Sequence, residues 1–322
     1  MKTLLLTNHY EGAALDILKN AVNGDFNLCV LDTADRECLL KAVPGADYLL
    51  VSGRLQIDDE VLTKASKLKM IQRTGVGLDN MDLDAVKRHG IPLYVNAGVN
   101  AGSVAEYAVM LMLSCLRRSY FVNTQMRKGI WKKQATGLTT YELSGKTVGL
   151  VGAGKIGRYV AGLLKAFGVK LLYTDKIRLD EAVEKESGLE YVMFEELLRR
   201  SDIVSLHCSF DKSAGALMGE KEFALMKDGA VFINTARGGL VDEQALIKAL
   251  DDGKLSCCGL DVFCEEPLSP EHPLLKREDV LLSPHIAGVS FDAFSRMMQA
   301  GVDNIRKFNA GRIEEIEKDR VV

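Results

Sequence analysis

Short, unbroken apolar runs alternate with stretches whose apolar residues recur every three or four positions, and this alternation starts at the first residues of the chain. Residues 3–6, 26–31, 48–51, 69–72 and 92–95 have the length and apolar character of fully buried strands. Segments between them, such as 12–21 and 58–65, carry the helical period. Strand followed by helix followed by strand predicts βαβ units and a parallel sheet covered on both faces. Residues 1–99 thus read as a complete small α/β domain.

Residues 101–116 are almost continuously apolar and predict a helix buried on most sides, whereas the polar stretch 117–142 reads as an arm. A second α/β series opens at residues 148–151, with further strands expected at 170–174, 203–206, 230–233, 256–260 and 280–282. The helix predicted at 291–308 has no later strand in that series to lead to, so it is expected to return to the first domain. The chain would then cross between domains near Asn100 and near Val289, giving one domain of residues 1–99 and 289–322 and another of residues 100–288. The fold class is therefore α/β, two doubly wound parallel-sheet domains.

Composition narrows the function classes. With 322 residues, 47% hydrophobic and 26% charged, the chain suits a globular protein, and a net charge of −3 supplies no general field for nucleic acid or an anionic membrane. Its 7 cysteines are scattered without C-x-x-C spacing, which predicts reduced thiols, a cytoplasmic setting and no metal site. The apolar start Leu4-Leu-Leu6 is too short for a secretory signal, and Glu106 interrupts the best candidate for a membrane span.

Chemistry enters at Gly152-Ala-Gly154-Lys155-Ile156-Gly157. Such a glycine pattern is weak alone, but here a β-branched strand precedes it and a helix-period segment follows, which is the context of a Rossmann dinucleotide turn. Asp175 ends the next strand at the offset of the acid that binds ribose hydroxyls, which favours NAD over NADP. Lys176 and Arg178 follow it and are read either as solvated charges or as partial compensation for a 2′-phosphate.

Arg237, Glu266 and His285 each follow the C-terminal end of a predicted strand, the edge where open parallel sheets bind ligands. Together with Arg73-Thr-Gly-Val-Gly-Leu-Asp-Asn80, Val104-Ala-Glu106, Asn234 to Gly238, Asp261 to Pro267 and His285 to Gly288, they make the chain resemble the D-isomer-specific 2-hydroxyacid dehydrogenases over nearly its whole length. The L-specific lactate and malate enzymes carry the fingerprint at the chain start instead. The resemblance implies a flavodoxin-like substrate domain, a Rossmann NAD-binding domain and an active site in a cleft between them. It implies that Arg237 forks onto the substrate carboxylate and carbonyl oxygen, and that His285 exchanges the proton with Glu266 on its far nitrogen. Asp261 matches the residue that fixes the nicotinamide carboxamide, and Cys208 and Thr235 match cofactor contacts, as do Val76, Val104, Ala236, Ala287 and Gly288. A homodimer built on the 101–116 helix and the arm is also implied.

Substrate choice in such enzymes rests on the first domain, here on Ser52, Gly53 and Arg54 and on Arg73, Gly75 and Gly77. Val51-Ser-Gly-Arg54 places the arginine two positions later than the Arg-Ser of many relatives, which weakens a transfer of phosphoglycerate specificity. Arg73 and the Lys132-Lys133 pair are candidate charges for a second anionic group. His285-Ile-Ala-Gly-Val-Ser290 lacks the aromatic pair of the D-lactate branch, Glu266 stands where formate dehydrogenases have glutamine, and Val76 where phosphite dehydrogenases have lysine. The expected activity is hydride transfer between NAD(H) and a small D-2-hydroxy acid or 2-oxo acid of the 3-phosphoglycerate or hydroxypyruvate/glyoxylate class. The other reading is an NAD-sensing, corepressor-like binding module of the same fold.

Overall fold

The apolar run at Thr3–Leu6 (β1) splits its side chains by alternation: Leu4 and Leu6 go to one face of a sheet and Leu5 to the other, all fully buried. The same division holds for Tyr48–Val51 (β3), so helices must cover both faces. The computed structural model describes residues 1–53 and 55–322, which form two units, one of residues 1–100 and 289–322 and one of residues 101–288. In the first unit Asn27–Val30 (β2), Met70–Arg73 (β4) and Leu93–Tyr94 (β5) complete a parallel sheet of order β2-β1-β3-β4-β5. That order is flavodoxin-like, and its direction of growth reverses between β1 and β3.

The helix Phe291–Asn309 packs against β3 and β4 in this unit, its first turn capped by Ser290, whose Oγ accepts from Ala293 N at 3.1 Å. Close approach is secured by Gly301, where a Cβ would come 3.0 Å from Leu50, and by Asn96, which donates to the Met297 carbonyl at 2.8 Å. The chain then runs back along β5, with Val321 N donating to Leu93 O at 2.8 Å and Val95 N to Asp319 O at 2.9 Å. Those bonds cover a sheet edge that would otherwise lie open. The sequence pattern gave no sign of it.

In the second unit Thr147–Val151 (β6), Lys170–Thr174 (β7), Leu189–Tyr191 (β8), Ile203–Leu206 (β9), Ala230–Asn234 (β10), Leu255–Leu260 (β11) and Val280–Leu282 (β12) form one parallel sheet of order β12-β11-β10-β9-β6-β7-β8. The reversal lies between β6 and β9, as in a Rossmann domain. β8 was not expected: three residues with Glu190 exposed carry no apolar run to read. The helix Ala101–Leu116 is buried on most of its surface, with Ala105, Ala108 and Met112 fully enclosed. The stretch read as an arm contains two helices, Ser119–Arg127 and Lys133–Gly137, set off by Arg118 in the left-handed region at φ 48°.

On β6, Val148 and Leu150 face one core cluster, while Gly149 faces the helix Phe194–Arg200 so closely that a Cβ would overlap the Leu197 side chain and Ser201 Oγ. Gly149→Ala is therefore expected to lower unfolding free energy by about 1–3 kcal/mol through overpacking, measured by urea denaturation; an unchanged midpoint would show that the helix shifts freely.

Candidate dinucleotide site and the polar edge of the second sheet

Three glycines after β6 have three different reasons to be glycine. Gly152 has φ +102°, and a Cβ on it would press on the His207 carbonyl carbon and Cys208 N at 2.7 Å, so the turn lies flush against the chain leaving β9. A Cβ on Gly157 would overlap the Gly152 carbonyl oxygen. Gly154 caps the helix Lys155–Leu164, where a Cβ would meet nothing within 4 Å and no side chain caps the first turn. The first turn at Lys155, Ile156 and Gly157 thus begins at a helix N-terminus without a side-chain cap, the arrangement that suits a pyrophosphate.

Other groups at the same edge fit a nucleotide. Asp175, just past β7, accepts from Ala153 N at 2.7 Å, which ties its carboxylate to the glycine turn. Thr235, just past β10, is buried with its Oγ1 unpaired, an expensive state that a ligand contact would relieve. Ala236 N donates to Asn234 Oδ1 at 3.0 Å. Burial pushes the Cys208 thiol up to about 11, so it presents a neutral S–H, and pushes the His207 imidazole down to about 4. His207 Nε2 pairs with Ser205 Oγ at 2.9 Å behind the turn.

Arg237, Glu266 and His285 come from the turns after β10, β11 and β12, three neighbouring parallel strands. Arg237 is half-buried; its Nη1 donates to the Ala236 carbonyl at 2.6 Å, and Asn234 Nδ2 donates to its own carbonyl at 2.9 Å. Next to it Gly238 lies against the Phe263–Cys264 peptide and Gly239 beneath the ring of Phe210, so neither position has room for a side chain. Glu266 uses one oxygen to accept from Phe263 N at 3.0 Å and the other to pair with His285 Nδ1 at 2.8 Å. That partner fixes Nδ1 as the protonated nitrogen facing the carboxylate and leaves Nε2 for chemistry.

His285 has φ +59°, a strained conformation for a residue with a side chain. Asp261 holds it there. The carboxylate, just past β11 and buried, accepts from Ser283 Oγ at 2.6 Å, Ile286 N at 2.9 Å and Ala287 N at 2.8 Å. Burial raises its pKa against the pull of these donors. Asp261 and Ser283 are thus the anchor of the histidine loop, a role that the sequence did not reveal because only the fold brings residue 261 beside residues 283–287. Ala287 is buried and Gly288 half-buried in that loop, and Val104 is buried in the helix Ala101–Leu116.

In the first unit the candidate substrate loops follow β3 and β4. Ser52 is buried, with Oγ 2.5 Å from Tyr10 Oη, and Gly53 has φ +77° with a Cβ position 3.0 Å from Asn8. Arg54 lies outside the described residues. Arg73 is a brace between the two loops: its Nε donates to Gly77 O at 2.8 Å and its Nη1 to Val51 O at 3.2 Å. Gly75 O accepts from Asn96 N at 3.4 Å, and Val76 is exposed.

Strand order, glycine turn and helix N-terminus define the second unit as a dinucleotide-binding domain. Residues 109–287 match the family model for the D-isomer specific 2-hydroxyacid dehydrogenase NAD binding domain. The chain is 41% identical over 283 residues to a glyoxylate reductase of Thermococcus litoralis, covering 86% of this chain and 85% of that one. It is 39% identical to a D-3-phosphoglycerate dehydrogenase of Mycobacterium leprae, over 87% of this chain but only 52% of that longer one. A D-lactate dehydrogenase from Aquifex aeolicus, solved with NAD and lactic acid, superposes with a TM-score of 0.86 at 30% identity, covering 100% of this chain and 99% of that one. The chain belongs to the D-isomer-specific 2-hydroxyacid dehydrogenases and is an NAD-dependent oxidoreductase of that family. A binding module without this activity is not favoured.

His207 makes the fold pH-sensitive in a stated direction. Its folded pKa of about 4 lies below the ordinary 6.5, so the stability that it contributes is present above pH 6.5 and is lost as pH falls toward 4. His207→Gln should flatten that part of the pH profile of the urea midpoint, and a variant profile parallel to the wild type would refute the assignment.

Proposed function

We propose that the chain reduces a small, unphosphorylated 2-oxo acid of glyoxylate or hydroxypyruvate size to the D-2-hydroxy acid, with Arg237, Glu266 and His285 as its reacting edge. The observation that carries this reading is the 2.8 Å His285–Glu266 pair, held one strand away from the Arg237 turn. Bound NADH supplies the hydride for substrate C2. The Arg237 guanidinium matches a carboxylate fork and stabilises charge on the carbonyl oxygen. Glu266 accepts from Nδ1–H, so the imidazolium form of His285 presents Nε2–H and gives that proton to the carbonyl oxygen as the C–H bond forms, leaving the ring neutral. Gly152, Gly154 and Gly157 with the first-turn amides hold the pyrophosphate, Asp175 the ribose, and Thr235 and the Asp261 loop the nicotinamide side. Ser52, Gly53, Arg73, Gly75 and Gly77 shape the substrate loops. Arg73 braces these loops through Nε and Nη1, and support for an unphosphorylated substrate comes from the glyoxylate reductase relatives and from the displaced arginine of Val51-Ser-Gly-Arg54.

Two finer readings accompany this one. Tyr120, Trp131 and Leu138 are 53%, 78% and 84% exposed in the stretch 117–142, and the helix Ser119–Arg127 buries none of its residues. Large apolar side chains in that density fit a homodimer interface. A cytoplasmic setting is supported by the protein's 7 free cysteines.

NADH consumption with glyoxylate, hydroxypyruvate, pyruvate and phosphohydroxypyruvate tests the reaction. The first two should turn over best, and His285→Asn should lower kcat by about a hundredfold or more while NADH still binds; wild-type turnover in that variant would sink the proposal. Sedimentation equilibrium should show a dimer that Leu138→Glu dissociates, and a monomer at every concentration would refute the interface.

A further inference from the structure

Arg178 lies three residues past Asp175, on the loop from which a cation can reach an adenosine 2′-phosphate. In the structure its guanidinium is committed elsewhere. Nε donates to Glu184 Oε1 at 2.8 Å and Nη2 to Glu184 Oε2 at 2.9 Å, a two-pronged pair. The guanidinium also stands 5.2 Å from the centre of the Tyr191 ring. Glu184 is itself fixed, because Tyr173 Oη donates to Oε1 at 2.7 Å while accepting from Leu179 N at 2.8 Å. Tyr173 packs edge-on to Tyr191, closing the cluster.

We propose that Glu184, backed by Tyr173 and Tyr191, is a cofactor-selectivity latch that keeps Arg178 from serving an adenosine 2′-phosphate and so strengthens the preference for NAD(H) over NADP(H). The asymmetry of exposure explains why the latch holds. The Arg178 side chain is 61% exposed, but that of Glu184 is only 10% exposed. If Arg178 swung to a phosphate, it would leave a buried carboxylate supported by one phenol, and such an orphaned charge is costly. In the pair Glu184 is ionised, held down to about 2 first by Arg178 and then by Tyr173. Lys176 shares the loop and is exposed, but it lacks the planar fork that makes an arginine the better phosphate partner.

The inference rests on Asp175 as the ribose carboxylate, and the test separates the two. Fluorescence titration of the full chain with NADH and with NADPH would compare the wild type with Asp175→Ala, Arg178→Met, Glu184→Gln and the double variant Arg178→Met/Glu184→Gln, each checked for folding by circular dichroism. Arg178→Met should leave NADPH affinity unchanged, because the wild-type arginine is already engaged. Glu184→Gln should tighten NADPH by about tenfold, the size of one added charge-assisted bond, with NADH affinity unchanged and the gain absent in the double variant. Weaker NADPH binding in Arg178→Met, or no gain in folded Glu184→Gln, overturns the latch. Should Glu184→Gln fail to fold, Arg178→Met decides alone. Unchanged NADH binding in Asp175→Ala overturns the ribose assignment beneath it.

Discussion

A carboxylate taken out of water at the end of β11 must be surrounded by donors or give up its charge, and Asp261 gathers a hydroxyl and two backbone amides from the segment that follows β12. These bonds do more than satisfy the aspartate. They pin residues 283–287, and with them the left-handed backbone of His285, a conformation that an unanchored loop would abandon. The imidazole is then met from the other side by Glu266, whose own second oxygen is held by Phe263 N. Two carboxylates from one short segment, residues 261–266, thus fix both the backbone and the ring of a residue about twenty positions further on. Remove the first, and the histidine keeps its partner but loses its place.

The same economy of backbone contact governs the neighbouring turn. Gly238 lies flush on the Phe263–Cys264 peptide, so the Arg237 segment and the Glu266 segment are pressed together without side chains between them. Cys264 N is in turn held by Glu243 Oε1 at 2.8 Å, and Glu243 pairs with His272 at 3.3 Å. Close packing of this kind has little room to drift, which is what a site needs if its groups are to meet a substrate already oriented. The glycine turn after β6 follows the same rule, its shape dictated by the carbonyl of His207 and the amide of Cys208.

How much of this was legible in the sequence follows from where each interaction comes from. Continuous apolar runs identify strands that are buried on both faces, so β1, β3, β7 and β9 could be read directly, whereas β8, three residues at a sheet edge, could not. The helices of the arm after residue 117 were not legible because they bury almost nothing, and burial is what helical periodicity records. Arg237, Glu266 and His285 were visible as residue types after strand ends, since a parallel sheet puts all such ends on one edge. Arg73 and Arg178 show the opposite case. Each looked like a free cation in the sequence, but carbonyls of Val51 and Gly77 claim the first and Glu184 the second, partners that only the folded chain brings into reach.

These commitments bear on how specificity is built in this fold. A cation near a ligand is usually counted as available to it, yet a guanidinium has five donors and one geometry, and a buried carboxylate with a matching fork competes for it. Where the competitor is more buried than the arginine, the ion pair holds because breaking it strands the carboxylate rather than the cation. Selectivity then depends on a residue that need not touch the ligand. Arg73 differs in kind, because its carbonyl partners are neutral: they shape the two loops and orient the guanidinium while its charge remains. In both places the chain uses an arginine for structure, and at the cofactor edge that use favours the dinucleotide without the extra phosphate.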